Sequence, residues 1–272
     1  MIIPIFDSLT HPTLNGDWLP GSPVQNNTVE SLLHNMGKSD VQWAFAINMG
    51  KNRVEQTADY INCLKKNSPQ LFPVGYLEPD IHLDDIENYV TRLKRLGYVG
   101  IKIHPRLARL RYEDEIVNKA VEYAQKNKMI IFICTYYVDR SPLSPFNHLG
   151  ALHSLLCRWP NAYIILLHGG GSQLLQLTEI SQNFPNVLVD LSFTLCRYEG
   201  SSVDLDIEYL FKRYDKRICI GSDSPEYSQE QLRERFEYFA KKTTREKATN
   251  IAHSNLVCLL THINVLSVPS EC

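Results

Sequence analysis

Eight short apolar runs, rich in valine, isoleucine and phenylalanine, alternate along the chain with stretches of helical periodicity. No other feature constrains the fold as much. The runs are IIPIFDSL, VQWAFAIN, FPVGYLE, YVGIKIH, MIIFICTYY, AYIILLH, NVLVDLS and RICIGSD. Each is bounded by Gly, Pro, Asn or Asp, which punctuate strands. Between them, VEQTADYINCLKKN places Val54, Ala58, Ile61 and Leu64 on one stripe. DDIENYVTRLKRLG does the same with Ile86, Tyr89, Val90 and Leu93 before a glycine stop. EIVNKAVEYAQKN and VDLDIEYLFKRYD follow the same pattern. Strand and helix repeating over 272 residues predict an α/β fold, a distorted (β/α)8 TIM barrel, as a single domain over 1–272. A doubly wound open sheet is the runner-up, weakened because no Gly-x-Gly-x-x-Gly follows the first strand. The stretch KATNIAHSNLVCLLTHI predicts an extra C-terminal helix.

Composition narrows the function class. The formal net charge is −2, with no basic excess to suit nucleic acid or an anionic membrane surface. No apolar run reaches the length of a membrane-spanning helix. The start, MIIPIFD, lacks a positively charged leader, which argues against a secretory signal. Seven cysteines include no C-x-x-C pair and are odd in number, so neither a disulfide framework nor a zinc knuckle is expected. A reduced, cytoplasmic compartment fits that usage. The expected partner is a small-molecule substrate. A homo-oligomer is compatible with the sequence, although no stripe identifies its interface.

In such barrels the chemistry sits where the strands end. Strand one delivers Asp7 and His11 in FDSLTHP, with Leu9 between them on the same face, because strand side chains repeat with a period of two. Strand four, GIKIHP, delivers Lys102 and His104; a lysine aimed into a barrel is costly unless paired or used. Strand five delivers Cys134, strand six His168 before Gly169, Gly170 and Gly171, and strand eight Asp223 in GSDSP. Each has a plainer reading. Asp223 beside serine could cap a helix, Cys134 could be a small buried hydrophobe, and Lys102 could pair with Glu78. Arg106, Arg109 and Arg111 could be a solvated face, or guanidinium groups at a site rim suited to a carboxylate or phosphate.

Taken together, FDSLTHP, GIKIHP, LLHGGG, GSDSP and the terminal SNLVCLL resemble the amidohydrolase superfamily, in its amidohydrolase-related branch. The resemblance implies a distorted barrel, usually with one divalent metal, most often zinc, and hydrolytic or decarboxylating chemistry on small molecules. It implies that His11 is the second histidine of a strand-one pair, and that His168 orients substrate or water. Asp223 would bind metal and shuttle a proton, Lys102 and His104 belong to the strand-four signature, and Asn255 is the asparagine of the terminal helix. Two positions depart: Leu9 stands where the first histidine of the pair belongs, and Cys134 stands where strand five usually offers a histidine. Any metal would then rest on His11, Asp223 and Cys134. The expected function is hydrolysis of an ester, lactone or amide, with Asp223 as general base and His168 polarising the carbonyl. Lys102, His104 and Arg106 would hold the substrate. A non-oxidative decarboxylase and a lapsed barrel serving as a binding or regulatory protein are the alternatives.

Overall fold

The computed structural model describes residues 2–19, 22, 24, 26–49, 56–136 and 148–267. Its eight strands are β1 (Ile5–Thr10), β2 (Val41–Ile47), β3 (Leu71–Tyr76), β4 (Gly100–Ile103), β5 (Ile130–Cys134), β6 (Ile164–Leu167), β7 (Val187–Asp190) and β8 (Ile218–Cys219). They lie parallel in sequence order. The seam between β8 and β1 is drawn together by Ser8 N donating to Ile220 O at 3.0 Å and His11 N to Ser224 O at 2.9 Å. Gly221 makes that seam possible. A Cβ there would collide with Ser8 Oγ and lie 2.9 Å from Leu9 N.

Side-chain alternation divides the core into two layers. Ile101, Ile103, Ile131 and Ile133 point outward and pack with helix residues Ile86, Val90, Leu93, Val117 and Val121. Inward, Phe6, Phe45, Phe72 and Phe132 fill the barrel, with ring centroids 4.8 Å (Phe6–Phe45), 5.5 Å (Phe6–Phe72) and 4.9 Å (Phe45–Phe132) apart. Full burial of each such side chain contributes about 1.5–3 kcal/mol. This floor closes the barrel below the strand tips and leaves polar side chains to collect above it.

The helix Ile86–Leu96 buries Ile86, Tyr89, Val90 and Leu93, the stripe its sequence predicts. The helix Thr57–Asn67 buries Thr57, Tyr60, Ile61 and Leu64, while Val54 lies outside the described residues. The C-terminal helix is divided into Arg245–Thr249, a π-helical turn Asn250–Ser254 and Asn255–His262. Asn255 Nδ2 donates to Asp215 O (2.7 Å) and Ile218 O (2.8 Å), which anchors the start of β8. Cys258 is disulfide-bonded, a departure from the expectation of unpaired cysteines.

Strand β1 departs from simple alternation. Its pairing with β2 slips between Asp7 and Thr10, so the expected common face of Asp7, Leu9 and His11 does not form. Leu9 joins the interior cluster with Phe6 and Phe45. Asp7 instead accepts hydrogen bonds from Ser222 N (2.8 Å), Ser222 Oγ (2.6 Å), Gln229 Nε2 (3.2 Å) and Leu9 N (3.2 Å). Gln229 opens the helix Gln229–Ala240 behind β8, so Asp7 fastens that helix to the barrel.

Candidate active site

Strands β1, β4, β6 and β8 deliver side chains to one cavity of about 400 Å³. Its lining includes His11, Lys102, His104, Arg106, His168 and Asp223, so six residues singled out by sequence converge. Cys134 is not part of that lining; it is buried, and burial pushes its thiol upward, which keeps it protonated. Arg109 and Arg111 also stay outside the lining.

Neighbours fix the proton position on each histidine. Ser224 O lies 3.1 Å from His11 Nδ1 and can only accept, so Nδ1 carries the hydrogen. His11 Nε2 is then a lone pair, and Lys102 Nζ donates to it at 2.7 Å. Asp223 Oδ1 lies 3.6 Å from His11 Nδ1. Burial first, and Lys102 second, hold His11 well below its ordinary range, so the ring is neutral.

His168, also buried, follows the same logic. Ser192 Oγ spends its proton on Asp190 in a short hydrogen bond. Both Ser192 O (3.2 Å) and Ser192 Oγ (3.3 Å) therefore accept from His168 Nδ1. Burial and then Lys102 pull this histidine down to about 3. The neutral ring then keeps a lone pair on Nε2, in a side chain that lines the cavity. Asp190 also takes hydrogen bonds from Ser8 Oγ, Ser192 N (3.1 Å) and His168 N (3.3 Å), tying β1, β6 and β7 together under the site. Sequence reading missed this carboxylate because it sits inside the apolar run NVLVDLS.

His104 is the third case. It precedes the short helix Pro105–Ala108, and its Nδ1 accepts from Leu107 N at 3.3 Å. Its hydrogen is thereby assigned to Nε2, a donor. The backbone after β6 turns sharply, with His168 at φ 67° and Gly169, Gly170 and Gly171 at φ 55°, 74° and 60°. Asp223 itself sits at φ 59°. Such left-handed conformations at non-glycine residues concentrate at functional sites.

Charge in the cavity is poorly balanced. Lys102 is 2% exposed, and among the described residues its one hydrogen-bond partner is His11. Burial lowers it, opposed chiefly by Asp223; burial raises Asp223 to about 8, opposed by Lys102. Arg106 extends over the Tyr136 ring, 5.8 Å from its centroid. Aromatic walls complete the cavity: Trp18 lies 4.9 Å from the His11 ring, and Phe193 lies 5.0 Å from Tyr136 and 5.8 Å from His168. None of these rings was flagged by sequence, because they come from loops without a motif.

The Amidohydrolase family model matches residues 7–255. The chain belongs to the amidohydrolase family. Solved structures agree on the fold. A probable 2-pyrone-4,6-dicarboxylic acid hydrolase from Acinetobacter baumannii, with citric acid bound, superposes with a TM-score of 0.69 at 14% identity, covering 94% of this chain and 98% of that one. The 2,6-dihydroxybenzoate decarboxylase from Rhizobium gives 0.68 at 13%, covering 96% and 99%. An amidohydrolase from Burkholderia multivorans with bound zinc gives 0.67 at 15%, covering 94% and 98%. A search of curated proteins found no match. The amidohydrolase fold thus carries both hydrolases and decarboxylases.

The family's metal does not fit the donors present. Leu9 offers no lone pair, the His11 Nε2 lone pair is taken by Lys102, and Cys134 holds its proton. Among the described residues, no three His, Cys, Asp or Glu side chains are grouped to hold a metal ion. The expected His11, Asp223 and Cys134 set therefore lacks the three available donors that a catalytic zinc ordinarily needs.

Proposed function

We propose that this amidohydrolase hydrolyses an ester or lactone of a small carboxylate-bearing molecule, with water activated at the strand tips. The observation that carries this reading is Asp223: a carboxylate raised to about 8, lining a cavity beside a lysine, an arginine and a neutral histidine acceptor. A general base works best when its pKa lies near the working pH. Asp223 takes a proton from the attacking water and returns it to the leaving oxygen. His168 Nε2 orients that water by accepting its second hydrogen. Lys102 and the His104 Nε2–H stabilise the oxyanion that develops on the carbonyl. Arg106, on the Tyr136 side, receives the substrate's carboxylate as a planar two-pronged donor.

The test is a panel of lactones and aryl-carboxylate esters offered to wild type and Asp223→Asn. Acid release by wild type and its loss in the variant support the reading; equal rates would refute it. The pairing of two cations with aromatic walls also favours a second reading, decarboxylation of an aromatic acid. Carbon dioxide release without ester cleavage would select it.

A further inference from the structure

The strand-four lysine meets the strand-one histidine where the family's metal would attach, and the contact has a geometric consequence. Zinc bound to an imidazole nitrogen sits about 2.0–2.1 Å along its lone pair. Lys102 Nζ lies 2.7 Å from His11 Nε2 and is hydrogen-bonded to that same lone pair. A metal on Nε2 would stand roughly within 1 Å of the lysine nitrogen, so the two occupants exclude each other. The hydrogen on Nδ1, fixed by Ser224 O, leaves the imidazole no second lone pair to offer.

From this geometry we infer that Lys102 is the resident cation of the site, a tethered ammonium standing at His11 Nε2 where a metal would attach, and that it binds an anionic group of the ligand there. Three features converge on it. Leu9 removes a metal donor and fills its place with packed hydrocarbon. The ammonium has three N–H groups and, among the described residues, one acceptor, although it is 2% exposed. The two unspent donors belong to a side chain that lines the cavity. A buried donor without an acceptor is costly, and a carboxylate or an oxyanion in the cavity supplies what is missing. A metal would serve the same anion by coordination, whereas an ammonium does so by charge-assisted hydrogen bonds. The exclusion of a metal from His11 Nε2 follows from geometry alone; only the use of Lys102 on a developing oxyanion rests on the hydrolase reading above.

Zinc titration of the full chain by calorimetry, after dialysis against a chelator, tests this in wild type, Lys102→Met and His11→Ala. Wild type is expected to show no zinc uptake that depends on His11. Lys102→Met frees the Nε2 lone pair and is expected to bind zinc through it at least tenfold more tightly than wild type, while staying weaker than a three-donor site. Near-stoichiometric zinc in wild type, lost in His11→Ala, would overturn the inference. So would a folded Lys102→Met with no gain. Should that variant fail to fold, nitrogen NMR of the wild-type histidines decides. The His11 Nε2 resonance stays unmoved by zinc if lysine holds the lone pair, and a shift to a metal-bound position overturns the inference. Neither readout requires turnover, so a failed substrate panel leaves this result standing, and a failed zinc test leaves the panel standing.

Discussion

Two tiers of buried charge occur in this barrel, and they are treated in opposite ways. In the lower tier, Asp7 accepts from four donors and Asp190 from Ser8, Ser192 and His168. In the upper tier, among the described residues, Lys102 has one hydrogen-bond partner, His11, and Asp223 has a 3.6 Å approach to His11 Nδ1. Saturated carboxylates hold strands and helices in place; the unsaturated pair above them is available to a ligand. Counting partners, more than counting charges, separates structure from chemistry here.

Asp223→Asn gives the sharpest break between the tiers. Loss of a general base is expected to lower kcat by about 10²–10⁴-fold. On the proposed mechanism the working form is the ionised carboxylate, so activity is expected above about 8 and falls as pH drops through that value. Lys102, Glu226, Asp190 and Asp7 are the charged groups that set it, with burial the largest cause. A pH–rate profile should lose that limb in the variant.

Next in size is Ser192→Ala, which crosses the tiers. Asp190 loses a hydroxyl donor, at a cost of about 1–3 kcal/mol in denaturant unfolding. Freed of the Oγ, His168 is less firmly held in its Nδ1–H form. A fall in kcat that Ser192→Thr rescues would show that the lower tier orients the upper one; equal kcat in both variants would separate them.

Arg106→Met has a smaller effect and belongs to the upper tier alone. It removes binding of the substrate carboxylate, so KM rises by roughly tenfold while kcat holds. A fall in kcat at unchanged KM would instead place Arg106 at the reacting bond.

Asp7→Asn, the last variant, is read from the pH dependence of stability. Burial raises Asp7 from 3.8 to about 6 despite its four donors. The folded state therefore keeps that proton longer than the unfolded chain, and this group's contribution to stability falls as pH rises from 3.8 to about 6, then levels. Asparagine does not titrate, and unfolding free energy measured across that window should lose the decline.

Much of this molecule was legible in its sequence because the relevant patterns are local. Apolar runs with outward and inward alternation specify the barrel, and polar residues at the ends of β1, β4, β6 and β8 mark the cavity. Three features were not legible. The slip in β1 is a pairing property, and it sends Asp7 to Gln229 instead of to the site. The Lys102–His11 contact joins residues 91 positions apart, and nothing in GIKIHP or FDSLTHP alone implies it. Trp18, Tyr136 and Phe193 reach the cavity from segments between regular elements, where spacing carries no register. Cys134 was open to two readings, a ligand or a small buried hydrophobe, and its burial away from the cavity lining agrees with the second.

The most direct test of the central claim is the rate of ester or lactone hydrolysis by wild type before and after exhaustive dialysis against a chelator, with zinc then restored. An active site built on the Lys102 ammonium and the Asp223 carboxylate predicts the same rate in all three samples. Activity lost to the chelator and regained with zinc would contradict it.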